Sequence, residues 1–264
     1  MTNHLNQISL DTQWLGHSWH YFPNIESTNQ WLKSQATSLP HGAVAITDFQ
    51  SAGKGRLGRT WQAPPQTAIL HSLFLRTDWP ASQAPWLTMI AGLAAVRALR
   101  QTTSVPALLK WPNDIIVSHE GELRKLGGIL LDGHFHENQL QYAIVGIGLN
   151  INLEAADLPS ANTPPTSVLL ETGQKTARPP IVNALLTQFE QFYTLAQQGK
   201  SPHTLWETYL ANLHQPVTVT HIKQNKQLEG TAIGTNQWGN LLIEDQTGKI
   251  HEISAGDVTL RKKS

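Results

Sequence analysis

The hydrophobic pattern divides the chain into a first part with helices and strands and a shorter last part with strands alone. Apolar residues recur at helical spacing in residues 84–101 and 180–200, and each stretch predicts a long helix. Capping residues followed by apolar ones predict shorter helices in residues 26–39 and 201–213. Early strands and helices do not alternate regularly, which argues against a doubly wound parallel sheet.

The first part also contains apolar stretches bounded by turn residues, which are typical of strands. The predicted strands are residues 42–50, 67–77, 107–117, 121–135 and 138–152. Pro112 interrupts the third, and polar residues around Asn138 form a turn between the last two. We therefore predict an α+β domain with a mixed β-sheet flanked by helices.

From about Pro216 onward, apolar and polar residues alternate in short runs separated by turn residues. The predicted strands are residues 216–222, 227–233, 240–245, 249–254 and 257–261. Short strands with tight turns indicate a small antiparallel barrel or sandwich. We place the boundary near residues 212–216, which gives domains of residues 1–213 and 214–264.

Composition narrows the class of protein. Lys plus Arg and Asp plus Glu both number 19, so the chain lacks the general basicity of a protein held on DNA by its charge. The absence of cysteine excludes disulfides and thiolate chemistry. His134 and His136 alternate in a strand without a third ligand, so we expect surface residues and no metal site. Without a signal peptide or a membrane-length apolar run, we expect a cytoplasmic protein with no membrane partner.

The segment SAGKGRLGRTW, residues 51–61, contains a match to the dinucleotide fingerprint G-x-G-x-x-G. Asp78 even lies where that fingerprint wants an acidic residue. The fingerprint needs a helix to open at its third glycine, whereas Pro64 and Pro65 forbid one here. No G-x-x-x-x-G-K-[ST] P-loop is present either. A dehydrogenase is therefore disfavoured, and Asp78 is predicted to be a surface turn residue.

Three cations, Lys54, Arg56 and Arg59, alternate with the glycines of this loop. Long cationic side chains in one flexible loop indicate a strongly anionic ligand, such as a triphosphate or an adenylate. Trp61 closes the loop and could stack on a base. The alternative is a solvated turn with scattered basic residues.

Two further motifs place lysines at strand ends. In KWPND, Lys110 suits phosphate oxygens, and Asp114 could hold Mg²⁺ or fix the lysine. In RKLGGIL, Lys125 precedes the paired glycines Gly127 and Gly128, which mark a bulge or a close approach to a ligand. The alternative for KWPND is an ordinary turn at the end of a strand. The alternative for RKLGGIL is a bulge with an exposed lysine.

Hydrogen-bonding residues recur in two more motifs. VGIGLNIN places Asn150 and Asn152 on one strand face, where their amides could bind ribose or an amide group of a ligand. The alternative is an edge strand with polar outer positions. ESTNQW places Ser27 and Thr28 before a helix, where they can cap it, bind a ligand, or do both.

In this order, STNQ, Q-x-A-G-[KR]-G-R-x-G-R-x-W, KWPND, KLGGIL and VGIGLNIN resemble the biotin protein ligases. The resemblance runs from about residue 20 to the C-terminus. It implies a class II synthetase-like catalytic domain followed by a small SH3-like β-barrel. It also implies that biotin and ATP, with Mg²⁺, form biotinyl-5′-adenylate. The biotinyl group then passes to a lysine of a biotin carboxyl carrier protein, such as that of acetyl-CoA carboxylase.

The resemblance assigns roles to residues of this sequence. The implied biotin-binding residues are Ser27, Thr28, Asn29, Gln50, Gly53, Lys54, Gly55, Arg56, Lys125, Gly127 and Gly128. The implied ATP- and adenylate-binding residues are Lys54, Arg56, Arg59, Trp61, Lys110, Asn113, Lys125 and Asn150. The implied catalytic residues are Arg56, Lys110, Lys125 and Asp114, of which Asp114 orients or deprotonates the incoming lysine.

Two features separate this chain from parts of the family. Many members carry Arg where this chain has Lys54, which keeps the charge but loses the bidentate fork. Only about 25 residues precede STNQ, so we expect no helix-turn-helix domain and no specific DNA binding. The resemblance also suggests a homodimer. A lipoate or octanoate ligase or transferase, and a non-catalytic biotin-binding regulator, remain as alternatives.

Overall fold

A seven-stranded sheet forms the centre of the first domain. Its strands are β1 (Trp19–Phe22), β2 (Ala43–Thr47), β3 (Ala68–Arg76), β4 (Leu108–Lys110), β5 (Asp114–His119), β6 (Glu122–His136) and β7 (Gln139–Asn150). Their order is β1-β2-β3-β7-β6-β5-β4 in this computed structural model, which describes residues 4–161, 163–221, 226–254 and 256–260. The β1–β2 pair is parallel and the other pairs are antiparallel, so the predicted mixed sheet is confirmed.

Helices cover both faces of the sheet unequally. The described helices are α1 (Thr28–Ser34), α2 (Ala84–Thr102), α3 (Val168–Thr172), α4 (Arg178–Gln197) and α5 (His203–Glu207). The long helices α2 and α4 pack together against one face, and both begin with proline in the first turn, where its missing N–H is tolerated. On the other face α1 lies over β2, β3 and β7. None of the described helices combines the length and apolarity needed to cross a membrane.

Two helices are shorter than the pattern predicts. Helix α1 ends at Ser34, and the following residues to Leu39 form hydrogen-bonded turns. Helix α5 ends at Glu207 because the next residues pair with β4 instead. The amide of Leu109 donates to Tyr209 O, and the amide of Ala211 donates to Leu109 O, both at 2.9 Å. Tertiary pairing therefore replaces the last helical turns.

The C-terminal module is a five-stranded antiparallel sheet with the order β11-β10-β9-β8-β12. Its strands are β8 (Pro216–His221), β9 (Lys226–Thr235), β10 (Leu241–Glu244), β11 (Ile250–Ile253) and β12 (Asp257–Leu260). All five predicted strands are found, although Ile222 and Arg261 lie outside the described residues. Within the described ranges the edge strands β11 and β12 are not paired, so the sheet is not a closed barrel.

Buried tryptophans join the module to the first domain. Trp111 Nε1 donates to Gly239 O at 2.7 Å, and Trp86 Nε1 donates to Gln237 O at 3.2 Å. Both rings are almost fully buried, and α2 carries Trp86. The module is thus held against α2 and the β4–β5 turn. The boundary that we propose, between residues 213 and 214, falls between α5 and β8.

Candidate functional site

A cavity of about 640 Å³ opens on the sheet face that carries α1. This volume is typical of small-molecule sites. The predicted residues that line it are Ser27, Thr28, Asn29, Gln50, Lys54, Gly55, Arg56, Arg59, Trp61, Lys110, Asn113, Asp114, Lys125, Gly128 and Asn150. The fold therefore brings together most of the residues that were selected from separate motifs.

Gly53 and Gly127, both predicted to bind biotin, are not part of the cavity wall. A Cβ on Gly53 would overlap Trp61 O, so this glycine lets the loop close on itself. A Cβ on Gly127 would lie 2.6 Å from Gly148 O, and the β5–β6 register shifts beside it. The predicted bulge is confirmed, and packing of backbone against backbone explains both glycines.

One end of the cavity is rich in hydrogen-bonding groups. Ser27 occupies the N-cap position of α1, but its side chain makes no capping hydrogen bond. The amide of Thr28 instead donates to Gln50 Oε1 at 2.8 Å. Gln50 follows β2, so this bond connects the strand end to the start of the helix. Ser27, Thr28 and Asn29 are all buried and line the cavity.

The other end is cationic. The β4–β5 hairpin pairs Lys110 with Asp114, and Lys125 Nζ lies 2.6 Å from Asp114 Oδ1. Lys110 is 9% exposed and its Nζ donates to Thr163 Oγ1 at 2.8 Å. Burial lowers the pKa of Lys110, and the charge of Asp114 partly offsets that effect. Two lysines from different strands therefore lie on either side of one carboxylate.

Of the two roles open to Asp114 in the sequence, the structure shows the contact with a lysine. Within the described ranges, no group of three or more histidine or carboxylate side chains could hold a metal ion. Mg²⁺ commonly binds through one or two carboxylates and substrate phosphates. Asp114 fits that pattern as a single carboxylate beside two lysines.

The loop of residues 51–61 closes over the cavity as a tight hairpin. The amide of Gly55 donates to Arg59 O at 2.7 Å, and the amide of Trp61 donates to Gly53 O at 2.9 Å. Arg56 Nη1 donates to Asn113 Oδ1 at 2.8 Å, which fixes the guanidinium at the cavity. Burial lowers the pKa of Arg56. Arg56 is thus anchored at the cavity wall, while Lys54 and Arg59 are exposed and Arg59 pairs with Asp257.

Trp61 covers the glycines of the cavity floor. A Cβ on Gly148 would lie 2.7 Å from Trp61 Cε2, and one on Gly128 would lie 3.4 Å from Cζ3. Lys125 Nζ is 5.9 Å from the ring centroid. The ring therefore lies against β6 and β7, beside Lys125. Asn150 lines the same floor and donates through Nδ2 to Thr166 O at 3.0 Å.

Several predicted residues lie elsewhere. Asn152 is not part of the cavity wall and donates to Thr176 O at 2.9 Å. His134 and His136 are exposed, and His134 stacks on Tyr142. Asp78 is exposed in the connection between β3 and α2, as predicted for a surface residue, although that segment is not a turn.

Sequence reasoning missed four polar residues that contact the predicted set. Ser72 and Asp132 bond to residues of α1, Thr163 holds Lys110, and Asp257 of β12 forms an ion pair with Arg59. A serine within the apolar run of β3 was a local signal for Ser72. Asp257 lies 198 residues after Arg59, so no local sequence signal connects the two.

Comparisons with known proteins agree with this arrangement. Residues 21–150 match the Biotin/lipoate A/B protein ligase family, and residues 213–261 match the Biotin protein ligase C terminal domain. The chain is 31% identical to the Bifunctional ligase/repressor BirA of Bacillus spizizenii, over 96% of this chain and 77% of that protein. The chain belongs to the biotin protein ligase family.

Other members of the biotin protein ligase family match over similar lengths. The Biotin--[acetyl-CoA-carboxylase] ligase of Mycobacterium tuberculosis is 31% identical over 88% of this chain and 85% of that protein. The structure of a biotin protein ligase from Aquifex aeolicus, in complex with biotin and ATP, matches with a TM-score of 0.74 and 25% identity. It covers 92% of this chain and 98% of that chain. The match to a biotin ligase C-terminal domain favours biotin over lipoate as the substrate acid.

Proposed function

We propose that this protein is an ATP-dependent biotin protein ligase. It forms biotinyl-5′-adenylate and transfers the biotinyl group to a lysine of a biotin carboxyl carrier protein, such as that of acetyl-CoA carboxylase. One observation carries the proposal: a single cavity joins the hydrogen-bonding groups around Thr28 and Gln50 to the cations Arg56, Lys110 and Lys125. Such a cavity can hold a polar ring at one end and an acyl phosphate at the other.

In the first step a carboxylate oxygen of biotin attacks the α-phosphorus of ATP, and pyrophosphate leaves. Both reactants are anions, so fixed positive charge and positioning lower the barrier. Arg56 is anchored by Asn113, and Lys125 by Asp114, so both charges are held in place before substrates arrive. Lys110 supplies a third charge for the phosphates.

In the second step the carrier lysine attacks the carbonyl carbon of the adenylate, and AMP leaves as the amide forms. The lysine must lose a proton to attack. Asp114 lies beside Lys125 on the cavity wall, and we assign it the role of orienting or deprotonating the incoming amine. Asp114 lies at the cationic end of the cavity, and the proposal puts the reactive carbonyl at that end.

The remaining site residues are assigned as follows. Ser27, Thr28 and Gln50 bind the ureido ring, while Gly128 admits biotin to the sheet. Lys54 and Arg59 contact phosphates, and Trp61 and Asn150 contact the adenosine. Asp114 and Asp257 both line the cavity, and of the two we assign Asp114 as the carboxylate that would share a Mg²⁺ ion with the phosphates of ATP. Cytoplasmic location, dimerisation and the lack of specific DNA binding stay predictions.

The decisive experiment mixes the pure full chain with biotin, MgATP and a biotin carrier domain. Mass spectrometry should find one biotinyl group on one carrier lysine, and pyrophosphate should be released. Lys125→Ala should slow adenylate formation at least about 100-fold, because a preorganised charge at the reacting centre is lost.

Arg124→Ala is the matched control, since Arg124 is adjacent in sequence and pairs with Glu122 and Glu171. It should stay within about twofold of the wild-type rate, because neither Arg124 nor its two partners line the cavity. No transfer by the wild type, or equal use of lipoate, would overturn the proposed function. Unchanged turnover in Lys125→Ala would overturn only the role given to that charge.

A further inference from the structure

A chain of hydrogen bonds leads from the half-buried Asp132 of β6 to the cavity. Asn29 Nδ2 donates to Asp132 Oδ2 at 2.8 Å, and Ser72 Oγ donates to Asn29 Oδ1 at 2.5 Å. Ser72 Oγ lies 2.6 Å from Thr28 Oγ1, which is also 3.1 Å from Gln50 Oε1. Ser72 is fully buried, and the two α1 residues are almost so. Each member is therefore within hydrogen-bonding distance of the next.

The carboxylate of Asp132 fixes the direction of every bond in this chain. An ionised carboxylate only accepts, so the amide of Asn29 must turn its NH₂ to Asp132 and its oxygen to Ser72. The side-chain oxygen of Asn29 has no proton, so Ser72 must donate its only hydroxyl proton to that oxygen. Ser72 Oγ can then only accept from Thr28.

The hydroxyl of Thr28 consequently has no proton left for a ligand. It donates to Ser72 at 2.6 Å rather than to Gln50 at 3.1 Å, since the alternative would bring two lone pairs together at the shorter distance. With the Ser72 bond directed in this way, both lone pairs of Thr28 Oγ1 remain free to accept. Thr28 lines the cavity, so the group that it presents there is a hydrogen-bond acceptor.

We propose that Asp132 and Ser72 are positioning residues that fix Thr28 Oγ1 as an acceptor and so select acids whose ring carries an N–H group. This inference rests on the proposed function and extends its specificity. A cyclic urea satisfies such an acceptor, whereas the dithiolane of lipoate has no donor to offer. A buried acceptor left without its partner is costly, which makes this contact discriminating.

The floor beneath α1 is shaped for this network. A Cβ on Gly146 would overlap Asn29 Oδ1, so any residue larger than glycine would displace the Asn29 amide from its hydrogen bonds to Asp132 and Ser72. Gly146 pairs with Ser72 across β3 and β7, which places the glycine beside the serine. The sheet therefore leaves room for the amide at the point where its orientation matters.

The test is a double-mutant cycle on the full chain, with biotin affinity measured by calorimetry. Asp132→Asn keeps the shape but can present a donor to Asn29, so the direction is no longer fixed. The biotin Kd should rise about tenfold, close to the value of one hydrogen bond, and the preference for biotin over lipoate should fall. The KM for ATP should not change.

Thr28→Val supplies the decisive background because it keeps the shape of the side chain and removes the hydroxyl. There Asp132→Asn should alter the biotin Kd by less than about twofold, because the two changes act on one group. Thr28→Ser is the control that retains the hydroxyl, and the Asp132→Asn penalty should persist in it. Ser72→Ala breaks the chain in the middle and should show the same dependence on Thr28.

Equal Asp132→Asn penalties in the wild-type and Thr28→Val backgrounds would overturn the inference, as would no penalty in either. Thermal unfolding of each variant separates binding from folding. Failure of both Asp132→Asn and Ser72→Ala to fold would show that the network serves stability alone. A wild-type protein that binds no biotin would instead refute the proposed function.

Discussion

At the scale of single residues, His71 is a buried titratable group that the proposed reaction does not use. It is 1% exposed in β3, and within the described part of the chain neither ring nitrogen has a hydrogen-bond partner. It shares a strand face with Leu73 and Leu75, which belong to the main core. Burial lowers the pKa of His71 to about 4 from the ordinary value of 6.5. The folded protein therefore holds this imidazole neutral.

This burial predicts a loss of stability in mild acid. Below pH 6.5 the unfolded chain binds a proton at His71 that the folded chain does not bind until about pH 4. Stability is thus complete above pH 7 and declines as the pH falls through that window. Between pH 7 and pH 5 His71 should remove about 2 kcal/mol from the free energy of unfolding. Urea denaturation at the two pH values measures this.

His71→Leu should abolish that part of the pH dependence, because it removes the titrating group and keeps the site apolar. His136→Gln is the control, since His136 is exposed, and it should retain the wild-type dependence. An equal loss of stability in His71→Leu and wild type between pH 7 and pH 5 would contradict the assignment.

At the scale of elements, the local hydrophobic pattern predicted the long helices, the long paired strands and the regular series of short C-terminal strands. The helices α2 and α4, the β6–β7 pair and the five C-terminal strands follow from periodicity and turn residues. It missed β1 and α3, which have only four and five residues. Elements of that length depend on their neighbours, because β1 exists through its pairing with β2 and short helices are unstable alone.

The floor of the cavity gives a prediction about two glycines in neighbouring strands. Gly146→Ala would place a methyl group onto Asn29 Oδ1, which Ser72 and Asp132 hold in place. Overpacking of this kind should reduce the free energy of unfolding by about 1–3 kcal/mol and should raise the biotin KM. Chemical denaturation and steady-state kinetics check the two effects.

Gly128→Ala is the matched control for stability. The nearest neighbours of its Cβ would be Trp61 at 3.4 Å and Lys125 at 3.5 Å, which are ordinary contacts with side chains that can move. Its free energy of unfolding should stay within about 0.5 kcal/mol of wild type. Equal destabilisation by the two alanines would show that the fixed amide of Asn29 is not the cause.

At the scale of the whole molecule, motifs predicted which residues meet but not what holds them. Lys110 and Lys125 come from separate strands, and their meeting follows from the resemblance rather than from spacing. The partners that fix or balance the cations come from remote segments, as Thr163 and Asp257 show. Such partners are set by the packing of loops and domains, for which one sequence contains no local signal.

The Arg59–Asp257 ion pair connects the cationic loop to the C-terminal module, and it predicts competition with ATP. Burial lowers the pKa of Arg56 and of Lys110, and the charge of Asp257 partly offsets both effects, so this carboxylate also acts on these two cations. The phosphates of ATP must draw Arg59 away from it. Asp257→Asn should therefore lower the KM for ATP about two- to fivefold, the value of an exposed ion pair.

Salt separates this explanation from a change in folding. An exposed pair is screened by ions, so the difference in KM between Asp257→Asn and wild type should shrink as ionic strength rises. The free energy of unfolding should change by less than about 1 kcal/mol, because the side chains are 59% and 35% exposed. Glu244→Gln removes an exposed charge from β10 of the same module and should leave the KM for ATP unchanged. A higher KM in Asp257→Asn would mean that Asp257 positions Arg59 for ATP, and the module would then assist the first step rather than restrain it.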